Sequence, residues 1–412
     1  MLQIKPILAA LKRHKAGTIL IAVQIALTLA IVCNALFIIQ QRVDRLSRPT
    51  GMDERNLIAI ENRWVSKKEE DTSSLSRTDL AALRSMPGVQ DAIMINSFPL
   101  RGGGWSTGIR LVPDEKVKSK AQTTLYFTDD HAIATMGVKL IAGRNFLPSE
   151  ITSVSPREVK TTPQVIVTKA LADKLFPDGS ALGKQVYMND STNPPATIIG
   201  IVERTQVPWS GLWANDFVEN AMFLPVQLTG DYAIYLIRAK PGQQMNVFKD
   251  APATLIKTDR LRVFSSERGV RTFEQVRANS YSTDRGMAIL MGVICFVLLG
   301  ITAAGIVGLT SFWVGQRRKQ IGVRRALGAT KNDILSYFLT ENLMISVAGV
   351  VIGAALAIGL NLWMVTQFEM ARLSMIYVIC GVIALLLLGQ AAVLAPAMRA
   401  SRVSPVEATR SV

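Results

Sequence analysis

Residues 286–315 read GMAILMGVICFVLLGITAAGIVGLTSFWVG, and residues 316–330 continue QRRKQIGVRRALGAT. The first stretch carries no charge, and a cluster of cations follows it at once. A hydrocarbon core of about 30 Å takes about 20 apolar residues as a helix. Residues 286–315 therefore span it with length left for tilt or for extension beyond the lipid. Three further runs share this character: Gly17 to Ile39, Asn342 to Phe368 and Leu373 to Met398. Four transmembrane helices are predicted, at 17–40, 286–315, 341–368 and 373–398. The apolar core of the first exceeds the ~7–15 residues of a secretory signal. No small-x-small site follows it, and bulky Val32 precedes Cys33, so it reads as an uncleaved anchor.

Lys and Arg in the short flanks set the orientation. The flank 1–16 holds Lys5, Lys12, Arg13 and Lys15; the loop 316–340 holds Arg317, Arg318, Lys319, Arg324, Arg325 and Lys331; the tail 399–412 holds Arg399, Arg402 and Arg410. The loop 369–372 offers only Glu369 and Arg372. Both termini and the basic loop are thus expected in the cytoplasm, with residues 41–285 outside. A long domain crosses largely regardless of its own charge.

Composition agrees with this division. The chain has 412 residues, 19% of them charged, and a mean hydropathy of +0.27. That is too apolar for an ordinary soluble protein and too polar for one wholly embedded in lipid. The formal charge of +15 sits largely beside the apolar runs, which explains it without nucleic acid, and no nucleic-acid-binding motif is present. Cys33, Cys295 and Cys380 all fall inside apolar runs, so the outer domain is built without disulfides. His14 and His131 are isolated, no Cys/His cluster has metal-ligand spacing, and no metal site is expected.

The outer segment reads as α+β. Strands are predicted at Asn56–Asn62, Val89–Asn96, Gln164–Thr168, Gly183–Met188, Ala196–Val202, Ala233–Ala239 and Leu261–Ser265, and helices at Arg77–Ser85, Lys169–Phe176 and Asn246–Thr258. About 245 residues allow two subdomains. Gly179-Ser-Ala-Leu-Gly183-Lys184-Gln185 is not a P-loop, because it is one residue short between the glycines and lacks the Ser or Thr that ligates magnesium. No nucleophile elbow, HExxH motif or paired carboxylates stand out, so no catalytic residues are expected. Trp209 and Trp213 sit among Gly and Pro; they read either as contacts for an outer partner or substrate, or as core residues of a loop.

Small residues four apart, Ala304 with Gly308 and Gly349 with Gly353, are expected to let helices approach closely in lipid. Residues 316–340 can form a helix along the membrane face, with Ile321, Leu327, Ile334 and Leu335 on its apolar side and Gly328 permitting a sharp turn. Arg324 and Arg325 suit acidic groups on a partner, although the positive-inside rule alone also accounts for them. Glu341 reads either as a buried ion-pair partner for one of these arginines or as a hydrated interfacial acid.

These residues bring a resemblance into view. KQIGVRRALGAT at 319–330, directly after a span, resembles the signature loop of the FtsX-like permeases, and PAMRASRVSPVEA at 396–408 resembles their closing pattern. Gly137-Val138, AGRNF at 142–146, LADKLFP at 171–177, Leu182-Gly183-Lys184 and IGIV at 199–202 resemble the periplasmic core of MacB-like permeases. The likeness covers nearly the whole chain and is weakest over 205–285.

The resemblance implies a type VII ABC transporter subunit: four transmembrane helices and a large α+β periplasmic domain of MacB core type with two subdomains, in a bacterial inner membrane. It implies a homo- or heterodimer of permease chains and an ATPase below, whose closing moves the first two spans. The chain shows no Walker A ahead of its first span, so the ATPase is expected as a separate protein that binds ATP and magnesium; no cofactor is expected on this chain. The ATPase-coupling residues are then Arg317, Arg318, Lys319, Ile321, Gly322, Arg324, Arg325, Ala326, Leu327 and Gly328. The leading expectation is efflux of a drug-like compound or peptide, with a periplasmic adaptor and an outer-membrane tunnel as partners. The alternatives are lipoprotein release, control of a sensor kinase or cell-wall hydrolase, and a receptor without an ATPase.

Overall fold

The structure is a computed structural model that describes residues 15–65, 69–114, 116–157, 162–188, 194–266, 268–368 and 372–403. Most of the basic flank 1–16, Glu369, and the tail beyond Val403 with Arg410 lie outside the described residues. The chain divides into two compact units. One is Ser47–Ser282; the other joins the chain up to Leu46 to the chain from Thr283 onward.

In chain order the helices are α1 (Lys15–Leu46), α2 (Glu69–Arg84), α3 (Ala132–Met136), α4 (Lys169–Leu175), α5 (Gln244–Thr258), α6 (Phe273–Ser280), α7 (Ser282–Gln316), α8 (Arg318–Ala326), α9 (Lys331–Phe368) and α10 (Met375–Ser401). The strands are β1 (Leu57–Trp64), β2 (Val89–Ile95), β3 (Trp105–Arg110), β4 (Ala121–Thr128), β5 (Leu140–Gly143), β6 (Thr152–Val154), β7 (Gln164–Thr168), β8 (Gln185–Met188), β9 (Ala196–Val202), β10 (Ala221–Leu228), β11 (Tyr232–Ala239), β12 (Arg262–Phe264) and β13 (Val270–Thr272).

Helices α1, α7, α9 and α10 are each long and apolar enough to cross a membrane. α1 is the centre of this unit, with 56% of its apolar window buried against 17% for α7. Ile21, Ile25, Leu29 and Cys33 of α1 pack with Ile345, Val350 and Ala357 of α9 and with Leu385 and Val393 of α10. Gly349 and Gly353 allow the close approach: a Cβ would stand 2.9 Å from the Ala22 carbonyl oxygen at one and 2.8 Å from that of Ala26 at the other.

The second expected pair makes no such approach within this chain. Ala304 and Gly308 are both exposed on α7, and a Cβ at Gly308 would meet nothing within 4 Å. The buried stripe of α7 is Thr302, Ile306, Thr310 and Trp313. Ala304 and Gly308 each follow a stripe residue by two, which is about 200° around a helix, so they face away. Gly305 makes the close contact instead, against the Gln24 side chain. Polar rungs join α7 to α1: Gln24 Nε2 donates to the Ile301 carbonyl at 3.1 Å, the Thr28 and Thr302 hydroxyls are 2.8 Å apart, and Asp284 pairs with Arg42 and Arg45.

The other unit contains two sheets, each with its own core. In the first, β1 lies antiparallel between β11 and β12, β2 flanks β11, and β13 also pairs with β1. Helices α2 and α5 cover this sheet, burying Leu80, Leu83, Val247 and Leu255 against Ile58, Ile60, Tyr235 and Ile237. Its buried charges are matched, with Arg262 gripping Asp79 through two bonds of 2.8 and 2.9 Å and Tyr235 donating to the same carboxylate at 2.7 Å.

The second sheet is mixed, in the order β4-β3-β8-β9-β7-β10-β6, with a further β4–β10 pairing and β5 on β9. Here the AGRNF stretch acquires a physical reason. Gly143 has φ +75°, and a Cβ on it would lie 2.1 Å from the Ile199 carbonyl oxygen. Only glycine lets Arg144 N–H reach that oxygen, at 3.0 Å.

Candidate functional site

The basic loop between α7 and α9 is a folded corner. α7 stops at Gln316, and Arg317 leaves helical geometry at φ −95°, ψ 10°. α8 follows for nine residues and ends in a Schellman motif. Gly328, at φ +100°, donates to the Arg325 carbonyl at 3.2 Å, and Ala329 donates to the Arg324 carbonyl at 3.0 Å. Thr330 then caps α9: Asp333 N–H donates to its hydroxyl at 3.2 Å, and Asp333 Oδ2 accepts from the Thr330 N–H at 2.8 Å. This corrects the expected single helix over 316–340. The turn at Gly328 ends one helix, and the cap at Thr330 starts another, so residues 331–340 are the first turns of α9.

Two faces of α8 have different roles. Ile321 and Gly322 are buried, and Ile321 joins Trp313, Ile334, Phe338, Ala397 and Ala400 in the helical core. Leu335 packs on the same cluster. Arg318, Lys319, Val323, Arg324, Ala326 and Leu327 are all exposed, with Val323 and Leu327 on the side away from Ile321. Leu327 is 83% exposed, which separates it from the apolar group in which the sequence placed it.

The arginines are held from within. Arg317 Nη1 donates to both Glu341 carboxylate oxygens at 3.0 Å, with both side chains nearly buried. Glu341 is in a buried ion pair, but its partner is Arg317 and not Arg324 or Arg325. Arg324 stacks over the Tyr337 ring at 5.1 Å, and Arg325 donates to the Ser401 carbonyl at 3.2 Å. Sequence reasoning missed Tyr337 and Ser401; Tyr337 stands one turn before Glu341, a spacing that offered a signal. α8 is thereby clamped to α9 and α10, which leaves its outer edge and the Leu327 tip facing outward.

Trp209 and Trp213 are elsewhere, in the unit of residues 47–282. A 3-10 helix, Leu212–Phe217, places their rings 5.1 Å apart, with Phe217 5.6 Å from Trp213. Trp209 is half-buried and Trp213 is 62% exposed. Neither of the two readings covers both rings: Trp209 is partly loop core, and Trp213 is surface.

Comparison with known proteins places these features in a family. The FtsX-like permease C-terminal family matches residues 292–405, and the MacB-like periplasmic core domain matches residues 18–253. The macrolide export ATP-binding/permease protein MacB of Chromobacterium violaceum is 26% identical over 282 residues, which is 66% of this chain and 41% of that protein. The chain thus spans less than half the length of that curated relative. The uncharacterized ABC transporter permease YvrN of Bacillus subtilis is 24% identical over 298 residues, 69% of each chain. Among solved structures, the periplasmic region of MacB from Actinobacillus actinomycetemcomitans aligns with a TM-score of 0.35 at 13% identity, covering 57% of this chain and 97% of its own. The extracellular domain of YknZ from Gram-positive bacteria aligns with a TM-score of 0.32 at 17% identity, covering 52% and 98%.

Proposed function

Because this chain belongs to the FtsX-like ABC transporter permeases with a MacB-like periplasmic core domain, we propose that it transmits the work of a separate ATPase to its outer unit, driving efflux of a drug-like compound or peptide. The observation that carries the reading is the clamped corner at α8. Ile321 and the Arg317–Glu341 pair fix it to the membrane helices, while Leu327 and Val323 project beside exposed cations. An exposed apolar tip on a rigid element is a natural anchor for a partner surface. A push on it passes straight into α7 and α9, because only Arg317 and the 327–330 turn separate the three helices.

In this reading the chain sits in a bacterial inner membrane with both termini and α8 in the cytoplasm. It works as a pair of permease chains, and ATP and magnesium belong to the ATPase. A periplasmic adaptor and an outer-membrane tunnel complete the export route. The export direction is supported by the relatives whose name is macrolide export protein. The test is purification of the tagged chain from its native membrane, with identification of what accompanies it. An ATPase and an adaptor are expected. A sensor kinase or hydrolase in place of the adaptor, or lipoproteins retained in the inner membrane on depletion, overturns the export reading. Absence of any ATPase overturns the coupling itself.

A further inference from the structure

A cavity of about 290 Å³ lies within the unit Ser47–Ser282, lined from both of its sheets. Small-molecule pockets begin at about 300 Å³, so this one suits a compact ligand. Met94 and Ile95 of β2 line it from the first sheet; Trp105 of β3, Phe127 of β4 and Leu228 of β10 line it from the second. Trp105 stands edge-on to Phe127 at 5.2 Å and is 40% exposed, so part of its ring is open to a ligand.

One cation reaches this apolar space. Leu100, at φ +67°, turns the chain so that its own side chain is buried and Arg101 lies on the cavity wall. Arg101 N–H closes the turn on the Phe98 carbonyl at 3.2 Å. The guanidinium grips Glu61, with Nε 3.2 Å from Oε1 and Nη2 3.1 Å from Oε2, and Nη1 donates to the Gly103 carbonyl at 3.2 Å. The Tyr232 hydroxyl accepts from Nη2 at 2.6 Å and donates to Glu61. A guanidinium has five N–H donors. One Nη1 hydrogen of Arg101 therefore has no partner among the described residues.

The charges around the cavity favour an anion. Glu61 also accepts from Arg271 at 2.9 Å, so one buried carboxylate faces two guanidiniums. Burial, with the bond to Glu61, pushes the Tyr232 pKa up, so its hydroxyl stays neutral. Asp231, the other charged residue on the wall, is matched by Arg63 at 3.0 Å. One positive charge is left in excess among the described residues, on little-exposed side chains that salt screens poorly. A single excess charge and a single spare N–H suit a carboxylate better than a dianionic phosphate. We propose that this cavity binds a small apolar molecule bearing one carboxylate, with its body against Trp105 and Met94 and its carboxylate on Arg101 Nη1. The proposal needs neither export nor ATPase coupling, so its failure leaves the proposed function standing.

The test uses the full chain in nanodiscs of zwitterionic lipid at neutral pH. The probes are para-fluorophenylbutyrate and its carboxamide, read by fluorine NMR, with empty nanodiscs as the lipid background. The amide keeps the body and loses the charge, and it is expected to bind about tenfold more weakly than the carboxylate or worse. Thr229→Trp places a large ring in the cavity from a half-buried wall position, and Trp105→Ala removes the ring on which the ligand packs. Each variant, with its unfolding temperature measured alongside, is expected to bind the carboxylate about tenfold more weakly or worse. Equal binding of the two probes by wild type overturns the proposal, as does no carboxylate binding above the lipid background. Undiminished binding by either variant in its folded state also overturns it. The comparison of probes needs no substitution, so a misfolded variant does not shelter the proposal.

Discussion

Arg317 and Glu341 face each other across the corner between α7 and α9, with Arg317 Nη1 3.0 Å from both carboxylate oxygens and little of either side chain exposed. Removing one partner leaves the other buried and unmatched, which typically costs about 3–5 kcal/mol, whereas an apolar pair of similar volume is often neutral. Glu341→Ala and Arg317→Ala should each lower the unfolding temperature in detergent, and Arg317→Met with Glu341→Met should recover most of the loss. Additive losses in the double variant would show that the pair is not a unit.

Helix packing gives a sharper contrast. Gly353→Leu drives a side chain into the Ala26 backbone, 2.8 Å from the site of its Cβ, while Gly308→Leu enters open space. The first should destabilise by about 1–3 kcal/mol, the second by less than ~0.5 kcal/mol as a surface change. Thermal unfolding of the two variants side by side checks the ranking.

Much of the membrane unit was legible because lipid imposes a simple rule: a span is a long run without charge, and four such runs are in the chain. Two buried strands, Gln164–Thr168 and Ala196–Val202, coincide with their apolar runs. Strand β10 was hidden by Pro225, which argues against a central strand. In the structure Pro225 sits where β10 ends its pairing with β4, opposite Thr128, and begins pairing with β6 at Val226. The start of α9 was placed late because Lys331, Asp333 and Glu341 bring charge into the segment ahead of the uncharged run, although Thr330 and Asp333 already carried a capping signal. Small-residue spacing marked Gly349 and Gly353 and also Ala304 and Gly308, since spacing does not say which way a stripe faces. The partner of Glu341 lies 24 residues away, beyond any local period. The exposure of Leu327 was equally out of reach, because it depends on where the Schellman turn releases the chain.

One ion pair of the outer unit carries a pH dependence. Glu150 accepts from Arg144 at 2.6 and 2.9 Å and from the Leu147 N–H at 2.8 Å, and the Arg144 guanidinium holds its carboxyl down to about 2 from an ordinary 4.5. Its stabilising effect is whole above the unfolded value near 4.5 and is lost as pH falls toward 2. Arg144 is well exposed, so the contribution is screened by water and shrinks in salt. Titration of the Glu150 carboxyl carbon by NMR should find a midpoint near 2; a midpoint near 4.5 would remove the pairing from solution.

The central claim is that α8 receives the ATPase through its exposed tip. The direct measurement is the amount of ATPase retained per permease chain by wild type and by Leu327→Asp after gentle purification from the native membrane. Leu327 is 83% exposed, so the substitution should leave the unfolding temperature unchanged. The account predicts at least a tenfold loss of bound ATPase in the variant, with the permease still folded. Undiminished ATPase on Leu327→Asp, or none on wild type, would contradict it.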